Sequence, residues 1–297
     1  MSRINYVNGR YVPQSQAVVS IWDRGYQLAD GVYEVVAFFN RRFVDEDLHL
    51  QRLQRSLSVL AMDMPMEERA LRLVMRELLR RNTLEEGNLY LQVTRGIARR
   101  NGDAGVEYRD HPFPAGVTPS LSMAIMRAKL PSDKDLSLGV PVVCAPDIRW
   151  GHCDVKSIAL LPNLLAKQYG VEKSAKETFL VNAQGFVTEG SSSNAYIVDA
   201  NGVLRTHPAD NHILNGIRRV NILRIARELG MKVEERAFTV EEALAAREVF
   251  LSSASTHVLP VSSIDGKQIA DGKAGEMSGK LLKIFREHIS KQTNKIW

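Results

Sequence analysis

The amino-terminal part of the chain combines strand-like and helix-like spacing of its apolar residues. Alternating or β-branched apolar runs predict strands at residues 6–12 (a hairpin turning at Asn8-Gly9), 33–39, 89–93 and 121–126. Apolar residues at intervals of three and four predict helices at residues 50–60 and 65–81. Strands and helices that do not alternate regularly are typical of an α+β domain.

The carboxyl-terminal part alternates more regularly. Strands are predicted at residues 140–143, 178–181, 195–199 and 248–252, and helices at residues 162–169, 216–229 and 277–289. Gly170 is expected at the carboxyl end of the first of these helices. Thr239 and Glu242 have the spacing of a capping box that starts a further helix, and Asp265-Gly266 is expected to form a hairpin turn.

A chain of 297 residues is long for one hydrophobic core, because single cores stop growing near ~250–300 residues. We therefore predict an α+β protein of two domains, residues 1–129 and 135–297, joined by a linker at residues 130–134. Residues 98–116 interrupt the regular pattern with several glycines and prolines among many charges. This segment is predicted to be a long loop, and loops of that length are often functional.

Composition narrows the possible partners and location. The net charge is +5, but basic and acidic residues are interleaved along the chain, which disfavours a nucleic-acid binder. The two cysteines, Cys144 and Cys153, are too few for a disulfide framework and lack the spacing of a zinc site. No apolar run approaches the ~20 residues that span a membrane, and the first residues lack a signal-peptide core. A cytoplasmic protein is expected.

Four segments carry polar residues that can support chemistry: residues 23–35, 150–157, 187–194 and 213–219. Each also has a plain structural interpretation. The first can be a tight turn, the second can hold a solvated lysine, the third can be a hydrophilic connection between strands, and the fourth can be an ordinary helix start. The spacing within any one segment does not separate these alternatives.

Lys156 stands directly before an apolar stretch. A lysine that is partly shielded from water becomes a nucleophile suited to carbonyl compounds. The neighbouring His152 and Cys153 could suggest a metal site or a nucleophilic pair, but adjacent side chains on an extended chain point to opposite faces. We therefore expect neither of them, and no metal site is predicted.

Glu189 precedes a glycine and three serines, so it can be a carboxylate that faces a buried partner, beside hydroxyls that can bind an anion or a carboxylate. The helix expected to begin near Gly216 has backbone N–H groups and a positive dipole end that favour phosphate. Taken alone, this second signal is weak because every helix has such an end.

Together, the four segments resemble, in order and spacing, the D-amino-acid aminotransferases, which belong to the branched-chain aminotransferase (fold type IV) superfamily of pyridoxal-phosphate enzymes. The resemblance extends from Tyr6 to the carboxyl-terminal helix. Its most specific parts are residues 23–35, 92–96, 153–157, 188–194 and 206–209. It implies a two-domain fold type IV structure, a homodimer, and transamination between D-amino acids and 2-oxo acids, with D-alanine and D-glutamate expected.

The resemblance also implies roles for individual residues. Lys156, in the second predicted domain, matches the lysine that carries pyridoxal 5'-phosphate and moves the substrate's α-proton. Glu189 matches the carboxylate beside the cofactor's ring nitrogen, whose protonated form an anion favours. Further cofactor contacts are expected from Arg52, Ser193, Ile217, Arg218, Ser253 and Ala254. The substrate carboxylate is expected to be bound by Tyr33, Arg109 and His111.

The chain departs from the family pattern in two places. The loop between Gly96 and Arg109 is longer than usual, which leaves open the alternative that Arg99 or Arg100 binds the substrate carboxylate. This extra length suggests a wider substrate range, so deleting residues 101–106 is expected to shift the preference between small and bulky D-amino acids. Arg218 and Ala254 stand where a threonine and a hydroxyl residue are common, so hydroxyl contacts to phosphate are lost there.

Other functions remain as alternatives. Within the superfamily they are an L-branched-chain aminotransferase, an (R)-amine transaminase and an aminodeoxychorismate lyase. Arg109 and His111 argue against the first two, and an assay with aminodeoxychorismate would distinguish the lyase. A phosphate-binding protein without catalysis is the alternative outside the superfamily, and the presence of Lys156 and Glu189 argues against it.

Overall fold

The computed structural model describes residues 3–99, 106–254 and 256–297. Internal contacts divide the chain into two compact units. The first comprises Met1–Ala128, Val155–Ala159 and Gln292–Lys295, and the second comprises Lys129–Asp154, Leu160–Lys291 and Ile296–Trp297. No helix within the described residues is both long and apolar enough to cross a membrane.

The first unit is built on a six-stranded antiparallel sheet with the order β2-β1-β6-β5-β3-β4. Its strands are β1 (Ile4–Val7), β2 (Arg10–Pro13), β3 (Gly31–Phe39), β4 (Arg42–Phe43), β5 (Gly87–Thr94) and β6 (Ser120–Met126). Its helices are α1 (Arg24–Leu28), α2 (Glu46–Val59) and α3 (Glu68–Arg80). The predicted hairpin at Asn8-Gly9 is confirmed as the connection between β1 and β2.

The core of the first unit lies between this sheet and helices α2 and α3. Both helices repeat apolar residues every three or four positions, which places those residues on one face. They pack on the inward-facing residues of the central strands, and the buried set includes Leu50, Leu53, Leu57, Leu71, Met75, Leu78, Val36, Leu89, Leu91 and Met123. The sheet face and the two helices thus form one continuous apolar layer, as the helical spacing predicts.

The second unit contains a ten-stranded mixed sheet. Its strands are β7 (Val140–Pro146), β8 (Glu177–Val181), β9 (Phe186–Gly190), β10 (Asn194–Val198), β11 (Leu204–Thr206), β12 (Val233–Glu235), β13 (Phe238–Thr239), β14 (Glu248–Ser252), β15 (Leu259–Ile264) and β16 (Lys267–Gln268). The order is β12-β11-β10-β14-β15-β7-β8-β9-β13, with β16 paired to β15. The parallel pairs are β7 with β8, β7 with β15, and β11 with β12.

Five further helices follow the first unit's strands in the chain: α4 (Asp133–Leu138), α5 (Leu161–Glu172), α6 (Ile217–Glu228), α7 (Val240–Leu244) and α8 (Glu276–Thr293). The capping box at Thr239 and Glu242 is confirmed at the start of α7. The turn at Asp265-Gly266 is likewise confirmed between β15 and β16.

The division of the chain differs in detail from the sequence prediction. The first unit's main segment ends at Ala128, and the expected linker at residues 130–134 already contains the start of α4, which Ser132 and Asp135 cap. Lys156, expected in the second domain, belongs to the first unit. The cause is strand-like pairing with β3, in which Tyr33 donates its backbone N–H to the carbonyl of Lys156 at 3.0 Å.

One local prediction was wrong for an identifiable reason. Gly170 does not end its helix, because α5 continues to Glu172. A Cβ atom at Gly170 would lie 2.5 Å from Thr178 Oγ1, so this glycine instead permits close packing of α5 on β8. Of the two interpretations left open for residues 187–194, the structure supports a carboxylate that faces buried partners, because residues 187–190 belong to the buried strand β9 and Glu189 accepts from Arg149 and Asn194.

Candidate active site

Lys156 lies in the extended segment that joins the edge of β3. Its backbone is fixed at both polar groups, because its N–H donates to Ser56 Oγ at 3.3 Å and its carbonyl accepts from Tyr33. Its side chain is half-buried, and Nζ lies 4.1 Å from the centre of the Tyr33 ring. The structure therefore brings together two of the predicted site residues, an amine and an aromatic ring.

The Tyr33 ring is itself held by a second tyrosine. It stacks on Tyr90 with ring centres 5.7 Å apart and the planes 28° from parallel. Tyr90 donates its hydroxyl to Gln92 at 2.6 Å, and burial, with the nearby Tyr33, raises the pKa of Tyr90 to about 12. Tyr90 therefore stays neutral at physiological pH and supports the ring that contacts Lys156.

Arg52 is anchored by the buried carboxylate of Glu34, which follows Tyr33 directly in β3. Its Nε and Nη2 atoms donate to the two oxygens of Glu34, each at 2.8 Å, and His49 Nδ1 lies 2.7 Å from the same carboxylate. Burial opposes the ionisation of Glu34, but Arg52 and His49 outweigh it and hold the pKa of Glu34 well below its usual range. This bidentate pair fixes the plane of the guanidinium that is predicted to face phosphate.

Glu189 lies in β9 with its side chain buried. Its carboxylate accepts hydrogen bonds from Arg149, from Asn194 Nδ2 at 3.0 Å and from the backbone N–H of Leu214 at 3.3 Å. Burial raises the pKa of Glu189 to about 7, although the Arg149 guanidinium opposes that rise. The pKa of Glu189 is therefore close to neutral pH. A further positive charge facing it would lower that pKa and favour the ionised carboxylate.

Arg149, which the sequence analysis did not single out, organises this carboxylate. It pairs with Asp147 at 2.8 Å and also donates to the hydroxyl of Thr188 and to the carbonyl of His212. Asp147 is in turn hydrogen-bonded by Thr188 at 2.7 Å. The separation of 40 residues between Arg149 and Glu189 explains why their spacing gave no signal.

Helix α6 begins directly after the loop that contacts Glu189. Gly216 is its N-cap, its first turn contains no acidic residue, and the side chains of Ile217 and Arg218 are buried. The first N–H groups of a helix point along its axis, outside its own hydrogen-bond ladder, and attract anions. The Arg218 guanidinium stacks over Phe285, 5.0 Å from the ring centre.

The serines that follow Glu189 have a structural partner. Ser191, Ser192 and Ser193 all donate their hydroxyls to the buried carboxylate of Glu177, the last two at 3.0 Å. The hydroxyls thus bind a carboxylate, as expected, and through it stabilise the β9–β10 connection. The cofactor contact assigned to Ser193 stays a prediction.

The remaining cofactor residues follow β14. The Ser253 hydroxyl lies 2.9 Å from Thr256 Oγ1 and accepts from the Thr256 N–H at 3.2 Å, which forms a compact turn. Ala254 lies in the same turn without a hydroxyl to contribute. Their contacts with phosphate stay predictions, and the neighbouring Ser255 is outside the described residues.

Arg109 and His111 are exposed. Their segment is held by the buried Arg24, which the sequence analysis did not identify. Arg24 donates to the carbonyl oxygens of Asp110 at 2.5 Å and His111 at 3.3 Å, and it pairs with Asp30 at 2.7 Å. The sequence feature that could have identified Arg24 is its position in the family-like segment 23–35. Arg24 therefore fixes the backbone on which the predicted carboxylate-binding pair stands.

The alternative carboxylate residues lie differently. Arg99 is exposed and forms an isolated bridge with Glu107, whereas Arg100 and the loop residues up to 105 are outside the described residues. The proposed effect of the extended loop on substrate range stays a prediction.

Comparisons with known proteins agree over almost the whole chain. Residues 31–264 match the family model described as amino-transferase class IV. The chain is 40% identical over 288 residues to a D-alanine aminotransferase of Bacillus licheniformis, covering 97% of this chain and 98% of that protein. It is 38% identical over 292 residues to a D-alanine aminotransferase of Staphylococcus haemolyticus, covering 97% and 99%.

Solved structures show the same fold. The branched-chain amino acid aminotransferase of Escherichia coli is similar with a TM-score of 0.87 and 23% identity, over 100% of this chain and 98% of that one. The branched-chain aminotransferase of Thermoproteus uzoniensis, solved with norvaline, gives a TM-score of 0.82 and 25% identity, over 99% and 97%. The fold type IV architecture expected from the sequence is confirmed.

Proposed function

The chain belongs to the amino-transferase class IV family, and on that basis we propose that it transfers amino groups between D-amino acids and 2-oxo acids with pyridoxal 5'-phosphate as its cofactor. The observation that carries the proposal is the half-buried Lys156, held on a fixed backbone with its amine 4.1 Å from the Tyr33 ring centre. The choice of D-amino acids is supported by relatives at 40% and 38% identity that are named D-alanine aminotransferases.

The described residues fit this cofactor in their chemistry. Glu189 is a buried carboxyl group suited to a protonated ring nitrogen, because a facing cation compensates for its desolvation. Arg52 and the first-turn N–H groups of α6 at Ile217 and Arg218 are donors suited to phosphate. When bound, pyridoxal phosphate withdraws electrons from the substrate's α-carbon.

Each residue then has a defined task. Lys156 would hold the cofactor, and its amine is placed to act as the general base and acid that takes the substrate's α-proton and returns it. Glu189 would supply the negative charge for the cofactor's ring nitrogen, and Arg149 and Asn194 keep its carboxylate in a fixed orientation. Tyr33, Arg109 and His111 bind the substrate carboxylate, so they decide which face of the α-carbon meets Lys156.

We propose that the active form is a homodimer in the cytoplasm. Helix α5 exposes Leu161, Leu164 and Leu165, which are 67%, 60% and 55% accessible. Clustered exposed leucines on one helix are typical of a protein–protein interface, and a second copy of this chain is the partner that the family resemblance implies. Two free cysteines, Cys144 and Cys153, are consistent with a reducing compartment.

A kinetic assay tests the proposed function. The cofactor-loaded protein is given D-alanine or L-alanine with 2-oxoglutarate, and pyruvate is measured. We expect D-alanine to react at least about a hundredfold faster, the scale of discrimination available to a shaped site. Equal rates with both enantiomers, or no pyruvate from either, would contradict the proposal.

The role proposed for Glu189 beside the cofactor's ring nitrogen can be tested with a matched pair of variants. Glu189→Gln removes the negative charge and is expected to lower kcat with D-alanine by about 10²–10³-fold. Glu248→Gln serves as the control, because Glu248 accepts from the N–H groups of Met277 and Ser278 at 2.8 Å and so supports a helix start. A comparable loss of kcat in both variants would remove the role given to Glu189.

A further inference from the structure

Three metal-binding side chains lie together after β11, on the loop that leads to α6. One donor atom each from His207, Asp210 and His212 lies within 4.8 Å of the other two. Asp210 Oδ1 is 3.1 Å from His212 Nδ1 and 3.7 Å from His207 Nδ1. Two atoms that bind one tetrahedral zinc ion at about 2.0–2.1 Å are roughly 3.3 Å apart. The Asp210–His212 separation is therefore slightly shorter, and the Asp210–His207 separation slightly longer, than the spacing that one ion requires.

The loop is held in this arrangement by its own backbone contacts. The His207 carbonyl accepts from Arg219 at 2.8 Å, and the His212 carbonyl accepts from Arg149 at 2.9 Å. The carbonyl of Asn211 accepts from the Cys153 N–H at 2.8 Å. Because these bonds order the loop in advance, binding an ion there costs little further entropy.

The accessibility of the three side chains suits an ion exchanged with solvent. His207 is buried, with Nδ1 3.0 Å from the carbonyl of Pro208, whereas Asp210 and His212 are exposed. Because a ligating imidazole makes its second-shell hydrogen bond with the other ring nitrogen, an ion bound at His207 Nδ1 would replace the contact of that atom with the Pro208 carbonyl. Three protein ligands leave a fourth tetrahedral position for water.

We propose that His207, Asp210 and His212 bind one divalent transition-metal ion of the Zn²⁺ class and that this ion stabilises the loop between β11 and α6. Two imidazoles and one carboxylate are ligands that Zn²⁺ and Ni²⁺ prefer, whereas Mg²⁺ and Ca²⁺ need sites built of oxygen atoms. The sequence analysis predicted no metal site and did not consider His207, Asp210 and His212 together. The proposal does not depend on the proposed function.

Occupancy of this site has a consequence for the rest of the unit. Arg149 donates to both the His212 carbonyl and the Glu189 carboxylate, and the Leu214 N–H donates to the same carboxylate. An ion bound to residues 207–212 therefore adds to the contacts that support Arg149 and, through it, the carboxylate of Glu189. An ion that binds only the folded state raises the melting temperature, and the rise increases with the logarithm of the ion's concentration over its dissociation constant.

Calorimetric titration of untagged, cofactor-loaded protein, stripped with a chelator and desalted, tests the site. Zn²⁺ is expected to bind with one ion per chain and Ni²⁺ to compete, while Mg²⁺ gives no binding. Asp210→Asn and His212→Asn are each expected to weaken Zn²⁺ binding about tenfold or more and to abolish the rise in melting temperature. Both side chains are exposed, so the variants should melt like the wild type without metal.

His152→Asn is the matched control, since His152 is another exposed histidine whose nearest carboxylate, Asp154, is 3.8 Å away. It is expected to bind Zn²⁺ with wild-type affinity. The site would be ruled out if Zn²⁺ did not bind, if Mg²⁺ bound as well as Zn²⁺, or if Asp210→Asn and His212→Asn bound Zn²⁺ like the control. Loss of binding in His152→Asn alone would equally overturn it.

Discussion

Two buried carboxyl groups show how the surroundings of single residues set their tasks. Burial opposes ionisation of both Glu34 and Glu189. Glu34 has both Arg52 and His49 as partners, so its pKa falls and it remains an anion that fixes Arg52. Glu189 has Arg149 but also the nearby charge of Asp147, so its pKa rises to about 7. Groups whose surroundings move their pKa values apart are typical of active sites.

The raised pKa of Glu189 predicts how the stability of the cofactor-free protein depends on pH. A raised pKa means that the folded state holds the proton more tightly than the unfolded state. The stabilisation is therefore complete below the ordinary value of 4.5 and is lost as the pH rises through about 7. The shift corresponds to about 3 kcal/mol as an order of magnitude.

Denaturant unfolding of the wild type and Glu189→Gln at pH 5 and pH 8 measures this effect. Glutamine stays neutral, so the wild type should lose more free energy of unfolding than the variant between the two pH values. The same difference between wild type and variant at both pH values would show that Glu189 titrates normally.

Arg24 is predicted to act as a positioning residue. A lysine in its place has one compact ammonium and cannot keep both the Asp30 pair and the carbonyl bonds to residues 110 and 111. Arg24→Lys should raise KM for D-alanine about tenfold with a smaller change in kcat, because the carboxylate-binding segment loses its support. Steady-state kinetics of Arg24→Lys measures this change in KM, with Arg41→Lys, an arginine remote from that segment, as the control. An unchanged KM in Arg24→Lys would contradict the positioning role.

At the scale of elements, the junction between α6 and the preceding loop, whose Leu214 contacts Glu189, depends on a glycine. A Cβ atom at Gly216 would lie 2.2 Å from Asn194 Oδ1, and Asn194 also holds Glu189. Gly216→Ala is expected to destabilise the protein by about 1–3 kcal/mol, as overpacking does, and to weaken cofactor retention. Unfolding and absorption measurements on this variant give both values.

Gly279→Ala is the matched control for that substitution. Gly279 lies within α8, and a Cβ atom there meets nothing within 4 Å. Alanine is expected to be neutral or to stabilise by up to about 1 kcal/mol, since it favours helix more than glycine does. Equal effects of the two substitutions would show that the contact with Asn194 does not matter.

Elements defined by local signals could be predicted from the sequence, whereas those defined by distant partners could not. The turn at Asn8-Gly9 and the capping box of α7 depend on neighbouring residues and are confirmed. Strand β9 carries polar residues whose partners lie in other elements, so its pattern resembles a connection. The same reason explains the site: family resemblance identified Lys156 and Glu189, but Arg149 and Arg24 act through long-range hydrogen bonds.

At the scale of the whole molecule, the exposed leucines of α5 predict a self-association interface. Leu164→Asp places a charge among apolar side chains and should convert the proposed dimer to monomers. Leu73→Asp is the control, since Leu73 is 61% exposed on α3 without that leucine cluster. Light scattering during size-exclusion chromatography measures both masses. A monomeric wild type, or a Leu164→Asp variant that remains dimeric, would contradict this interface.

The visible absorption of the cofactor-loaded protein tests the central claim most directly. Incubation with pyridoxal phosphate should produce the visible band of the lysine-bound cofactor in the wild type and not in Lys156→Ala. D-alanine should remove that band within the mixing time of a hand-run experiment, and L-alanine in a separate cuvette should leave it unchanged. A wild type without the band, or a band that L-alanine removes as readily as D-alanine, would contradict the role of Lys156 or the assignment to D-amino acids, respectively.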